Sequence, residues 1–406
     1  MKNIVLMLLL VTYSGLLMAE EPAIYLVPKS NFKYFGFMES KNNIIDQNDE
    51  FYLMKLTTSQ IEQFSGALHS NTHSCGGAMF VGDEVKAGKS FKEIMKAQVS
   101  KEARTFSYPS GARYRTKVER VLNTFTKDTL QTELTRLTQF PNRNAKLQTG
   151  VDASQYIVDK VNRLAQENGR SDVTVTLIPT PNFLQSSVLV RLQGTDPSLP
   201  AVVVGGHFDT IVASIWGPSP NQNNPGADDD GSGSASVLQI ITGVLSSGMT
   251  FKRDMYFVFY AAEEYGLYGS KAVAQKFVNE GKSVLGVLQF DMTGFNSPND
   301  DKHFYFVEDN VNPELTQFTK LMIKEYLNLN DSNIGSTYCN YACSDHASWH
   351  RQGYPAAFPF EASFDNDNKL IHTNNDGLHV IDFERGVLFV KLGAAFMMEL
   401  AEPSPN

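Results

Sequence analysis

From about residue 113 the chain alternates between two hydrophobic periods. Val118 to Leu137 and Ser154 to Ala165 repeat apolar residues at three-and-four spacing, which predicts helices, with Asp152 or Ser154 as the cap of the second. The runs VTVTLI (173–178), SVLVRL (187–192) and AVVVGG (201–206) are rich in β-branched residues and predict strands. SGSASVLQIITGVL predicts a helix, MYFVFYAA a strand, and Ser270 to Asn279 another helix. GVLQFDM and HFYFVED predict strands, Leu315 to Leu327 a helix, AAFPFEA a strand, and a last helix starts at Phe383. Strands that alternate with helices imply an α/β fold: a mostly parallel central sheet flanked by helices on both faces. No internal repeat or low-complexity tract interrupts it.

Residues 20–105 read differently. Short strand-like runs (AIYLV, FYLMKL) and a helix-like SFKEIMKAQVSKEAR lie among many Asn and Ser residues, which predicts a small α+β unit. Ahead of it, Lys2 is a basic start, Ile4 to Val11 an apolar stretch, and Ala19 a last residue before cleavage. That order predicts a signal peptide over 1–19, a pro-segment over 20–105 and a catalytic domain over 106–406. The stretch from Lys101 to Pro109 is the expected exposed site of a processing protease. The expected location is therefore extracellular, reached through the periplasm. No later run reaches the roughly 18–20 apolar residues of a membrane span. A net charge of −9 argues against nucleic acid or an anionic membrane as a partner.

Candidate chemistry sharpens this picture. His207 in GGHFD, Asp229 in PGADDDGSG, Glu263 and Glu264 in YAAEEYG, Asp291 in QFDMTG and His372 in IHTNND supply two imidazoles and four carboxylates. His207, the glutamate pair and Asp291 each fall at or just past the end of an apolar strand, where open α/β sheets form their ligand crevice. Such a set suits two divalent ions, as Zn²⁺ accepts imidazole nitrogen and carboxylate oxygen. Asp229 is the expected bridge. His207 with Asp291 would hold one ion, and His372 with Glu264 the other. Glu263 is then the spare carboxylate, a general base for water activated by the two bridged ions and a proton donor to the leaving amine. Asp209 is placed to orient His207. Cys339 and Cys343, spaced C-x-x-x-C, are close enough to bridge; two buried thiols or a partial zinc site are the other readings.

With its motifs GGHFD, NPGADDDGSG, YAAEEYGLYGS, LQFDMT, CNYACSDHASWH, GYPAAFPFE and IHT, the chain from about residue 113 resembles the secreted bacterial leucine aminopeptidases with two co-catalytic zincs, the class found in Vibrio and Aeromonas. The resemblance implies a zinc-dependent exopeptidase fold acting as a monomer on peptides with a free N-terminus. It carries the bridging role to Asp229, with a cis peptide to Asp230, and the base to Glu263. The other zinc ligands fall on His207, Glu264, Asp291 and His372, and the short disulfide on Cys339 and Cys343. Tyr341 would help hold the tetrahedral intermediate. A pocket of Met292, Tyr341, Phe358, Phe360, Phe364 and Ile371 would take Leu, Phe, Met or Tyr. Asp367 stands where the family often has an aromatic residue. An acid there would draw Lys or Arg if it faced the pocket, and solvent is its expected surrounding. In the pro-segment, His69, His73 and Cys75 are candidates for covering the site before cleavage. Four rivals remain: a Lys/Arg-preferring enzyme of the same fold, a non-catalytic binding domain, an acyltransfer enzyme with a single zinc, and a carboxypeptidase. The last needs a cation that the ligand motifs lack.

Overall fold

The computed structural model describes residues 21–35, 40–72, 77–99, 106–212 and 218–404. The expected signal peptide over 1–19, and the side chains of His69, His73 and Cys75, lie outside the described residues.

The N-terminal unit is an antiparallel sheet of β1 (Ala23–Pro28), β2 (Ile44–Gln47), β3 (Phe51–Leu56) and β4 (Met79–Phe80), in the order β2-β3-β1-β4. Three helices accompany it: α1 (Thr58–Thr72), α2 (Gly82–Lys86) and α3 (Phe91–Val99).

The sequence from 118 to 137 predicts one helix, but two form: α4 (Arg115–Leu122) and α5 (Lys127–Leu137). Thr126 divides them, because its hydroxyl accepts the Thr129 N–H and starts a new helix. The next helix, α6 (Gln148–Glu167), starts earlier than its apolar stripe suggests. Neither Asp152 nor Ser154 caps it. Asp152 accepts from Gln148 one turn back, and the Ser154 hydroxyl donates to the Gly150 and Ser186 carbonyls.

The central sheet joins β5 (Val173–Pro179), β6 (Ser186–Leu192), β7 (Ala201–His207), β8 (Met255–Tyr260), β9 (Val284–Gln289) and β12 (Ala356–Ala357), in the order β12-β9-β7-β8-β6-β5. The sheet is mixed, where strand–helix alternation predicts a mostly parallel one. β12, β9, β7 and β8 run parallel, whereas β6 is antiparallel to both β8 and β5. The reason is connection length: residues 180–185 make a hairpin-like link between β5 and β6, too short for the crossover that parallel neighbours need.

Both faces of the sheet are covered, and the strand residues divide by parity. Val202, Val204, Phe257 and Phe259 enter one core, with α5, α7 (Gly233–Ser246), α9 (Pro313–Tyr326) and α11 (Phe383–Ala401). Val203, Tyr256, Val258 and Tyr260 enter the other, with α8 (Tyr268–Asn279) and α10 (His346–Arg351).

The run AAFPFEA is not one strand. Ala356 and Ala357 pair with β9, while β13 (Pro359–Phe360) joins a small second sheet with β10 (Phe304–Val307) and β11 (Ile334–Thr337). One apolar stretch thus leaves the main sheet at Phe358 and turns its aromatic residues toward the site.

The N-terminal unit shares a core with the part that follows residue 106. Tyr25, Phe64, Leu68 and Phe80 pack with Ala145, Ile211, Tyr265 and Tyr268. Phe80 stacks on Tyr268 at 4.0 Å, and its N–H donates to the Gly266 carbonyl at 3.1 Å. Gly266 sits at φ +108 with Ala78 and Phe80 backbone atoms 3.2 Å from where a Cβ would stand, so both conformation and space favour glycine there.

Candidate active site

Three adjacent parallel strands deliver the site. His207 ends β7, Glu263 and Glu264 follow β8 by three and four residues, and Asp291 follows β9 by two. Asp229 lies in the Ala227–Ser232 segment that leads into α7, and His372 in the loop before α11. All six side chains are buried. Five of them form two triads that share one aspartate: His207 with Asp229 and Asp291, and Asp229 with Glu264 and His372.

The separations suit divalent ions. His207 Nε2 lies 3.1 Å from Asp229 Oδ1 and 3.6 Å from Asp291 Oδ1. His372 Nε2 lies 3.0 Å from Asp229 Oδ2 and 2.9 Å from Glu264 Oε2. Two ligands about 2.0–2.1 Å from one tetrahedral ion stand about 3.3 Å apart, so these gaps match within a few tenths of an ångström. Asp229 faces one triad with each carboxylate oxygen. Asp291 Oδ1 and Glu264 Oε1 form no hydrogen bond.

Electrostatics agree with the donor set. Burial alone would favour neutral imidazoles, but the Asp291 charge and the nearby Asp209 and Asp229 carboxylates hold His207 well above its ordinary range. Burial opposes charge on His372 as well, and Glu264 with Asp229 raise it to about 10. The carboxylates therefore favour positive charge at both rings, which is the charge that divalent ions would supply there. Burial pushes Glu264 up to about 7 against the pull of His372.

Glu263 belongs to neither triad, although it is buried beside them. Burial raises its carboxyl well above the ordinary range; His207 opposes this, and Asp345, Glu264 and Asp291 add to it. The Asp209 carboxylate accepts the N–H groups of Glu263 at 3.0 Å and Glu264 at 3.3 Å, with its Oδ1 3.6 Å from His207 Nδ1. It thereby joins the loop after β7 to the loop after β8. The bond between Asp229 and Asp230 is cis, and Cys339 and Cys343 form a disulfide with their Cα atoms 6.2 Å apart.

Met292, Tyr341, Phe358, Phe360 and Ile371 come together in one buried apolar cluster, with Phe364 packed against it and the disulfide at its side. Asp367 overturns its expectation of facing solvent. It is 3% exposed and ion-paired with Lys369, two residues on. Burial raises its pKa to about 7 against the pull of that lysine.

Other supporting residues carry no signal of their own in the sequence. Asp376 accepts the N–H groups of Asp228 at 3.0 Å and Asp229 at 3.1 Å, tying the His372 loop to the aspartate that both triads share. Its place four residues after His372 is the one hint. Ser344 donates to Asp291 Oδ2 at 2.6 Å, and Asp230 accepts from the Gly233 and Met292 N–H groups.

Comparison with known proteins agrees with this geometry. Residues 187–389 match the model of peptidase family M28. A "Probable leucine aminopeptidase" of Arthroderma otae is 32% identical over 79% of this chain and 86% of its own length. "Leucine aminopeptidase 1" of Trichophyton equinum is 32% identical over 78% and 86%. The LapA aminopeptidase of Legionella pneumophila superposes with a TM-score of 0.80 at 31% identity, covering 94% of this chain and 98% of that one. LapB from the same organism gives 0.80 at 29%. A glutaminyl cyclase of Porphyromonas gingivalis, 16% identical with a TM-score of 0.56, shares the fold alone.

Proposed function

We propose, because this chain belongs to peptidase family M28, that it is a zinc-dependent aminopeptidase of the two-zinc Vibrio/Aeromonas type. Its substrates would be peptides whose first residue is large and hydrophobic. The carrying observation is the pair of buried triads that share Asp229. His207 and Asp291 would hold one Zn²⁺, His372 and Glu264 the other, and Asp229 both. Bound there, the ions would polarise the scissile carbonyl and lower the pKa of water.

The chain's own groups do the rest. Glu263 takes a proton from the attacking water as the C–O bond forms, then passes it to the leaving nitrogen as the C–N bond breaks. Tyr341 stabilises the oxyanion with its hydroxyl. Met292, Phe358, Phe360, Phe364 and Ile371 receive the first side chain. The charge of Asp367 is engaged by Lys369, which favours an apolar first residue over Lys or Arg.

The same reading makes residues 1–19 an export signal and 20–105 a pro-segment removed outside the cell, leaving a monomeric enzyme of 106–406. N-terminal sequencing of the exported protein tests that order. The activity is tested with Leu-p-nitroanilide and its N-acetylated form. Cleavage of only the free-amine substrate, abolished by a chelator and restored by Zn²⁺, is expected. Equal cleavage of both would overturn the aminopeptidase reading.

A further inference from the structure

The segment Pro141–Asn144, between α5 and α6, carries three consecutive buried polar side chains: Asn142, Arg143 and Asn144. Each reaches across to another segment of the chain. Asn142 Nδ2 donates to the carbonyls of Ser219, Pro220 and Gln222. Asn144 Nδ2 donates to the Thr210 carbonyl and the Tyr265 hydroxyl.

Arg143 holds the central place. Its Nε donates to the carbonyl of Phe208, next to His207, at 2.7 Å. Nη1 reaches the carbonyls of Leu137 and Pro225, and Nη2 that of Gly226 at 2.8 Å. Pro225 and Gly226 stand four and three residues ahead of Asp229. One fully buried side chain thus ties the loop leaving His207 to the loop approaching the bridging aspartate.

Among the described residues the Arg143 guanidinium donates to main-chain carbonyls rather than to a carboxylate, although a buried guanidinium without an acidic partner is costly by several kcal/mol. Its charge is supported from a distance by Asp376, Asp230, Asp209 and Asp229, the acids in and around the triads. Gly226, at φ +49, leaves room for it: a Cβ there would stand 3.0 Å from Nη2. A neutral amide could tie two loops at less cost. A cation in this position also offsets the mutual repulsion of the acids.

We propose that Arg143 is a positioning residue for the metal centre, fixing the His207 and Asp229 loops at the spacing that two ions require. This rests on the two-metal reading above. Lysine would keep the charge, but one ammonium cannot reach both loops in the same fork; methionine would lose both charge and bonds.

The test measures Zn²⁺ affinity by chelator competition, with circular dichroism and thermal unfolding, on the full chain and on R143K, R143M and N142A. Loss of a supporting contact to a metal site weakens affinity by about 10–100-fold, and R143M is expected in that range with R143K between it and the parent. With saturating zinc, kcat should fall while KM stays. N142A, whose side-chain donors serve the more remote 219–222 stretch, should lose stability but keep zinc affinity. If R143M does not fold, R143K decides. Unchanged zinc affinity in the folded arginine variants, whatever their melting temperature, would overturn the inference while leaving the two-metal reading intact. A parent chain that binds no zinc would overturn both.

Discussion

Two buried charge clusters in this molecule are assembled on opposite principles. Where the N-terminal unit meets the catalytic part, Glu84 receives Arg351 through Nε at 2.7 Å and Nη2 at 2.9 Å, and Arg351 also donates to the Ile94 carbonyl. Lys271 stands behind them, donating to the Phe80 carbonyl. That cluster contains its own counter-charge. At the strand ends, carboxylates face imidazoles and one another in two triads that could each hold a metal ion. Both are buried at a cost. The first returns it as docking, and the second holds a site ready for ions, so charge balance distinguishes a structural cluster from a functional one better than burial does.

The comparison can be broken most strongly at Glu263. Glu263→Gln keeps both triads but removes the proton acceptor, so kcat should fall by about 10²–10⁴-fold with zinc stoichiometry unchanged. Steady-state kinetics beside metal analysis checks this. A variant that also lost zinc would make Glu263 a ligand rather than a base.

The closed cluster should respond in stability instead. Arg351→Met removes both guanidinium hydrogen bonds to Glu84 and leaves it only Lys89 and Lys271, so about 1.5–3 kcal/mol of docking stability should go, read by urea unfolding. Adding Glu84→Gln should recover much of that loss, because the pair then disappears together. Additive losses would mean that the two residues act separately.

The smallest effect is that of pH on the same seam. Burial works against charge on Glu84, but the hydrogen bonds and charge of Arg351, with Lys271 and Lys89, outweigh it and hold the carboxyl below its ordinary 4.5. A depressed carboxylate binds fewer protons folded than unfolded. Its contribution is therefore full above about 4.5 and fades as pH falls through the lower folded value. Proteolysis of residues 21–99 should accelerate over that acid range in the parent and less steeply in Glu84→Gln. Parallel profiles would remove Glu84 from the account.

His207, Glu264 and Asp291 could be picked out because each sits at or just past the end of an apolar strand, and topology gathers strand ends; Asp229 and His372, which lie in loops, were marked by their motifs alone. Glu263 was legible by subtraction, as the acid left over. The hairpin link that makes the sheet mixed was not, since β-branched runs do not state their direction. Nor did AAFPFEA show that it serves two sheets, because an unbroken apolar run has no mark at its bend. Asp367 was misread because only tertiary burial forces it onto Lys369. Arg143 was invisible for another reason: its partners are main-chain carbonyls of distant loops, which leave no trace in residue type.

The most direct test of the central claim is a zinc titration of the chelator-treated full chain, following bound metal and melting temperature together. Two equivalents should bind and raise the melting temperature, and Asp229→Asn, which alters the residue common to both triads, should bind far more weakly at both positions. Failure of the parent to bind zinc, or binding that Asp229→Asn leaves unchanged, would contradict it.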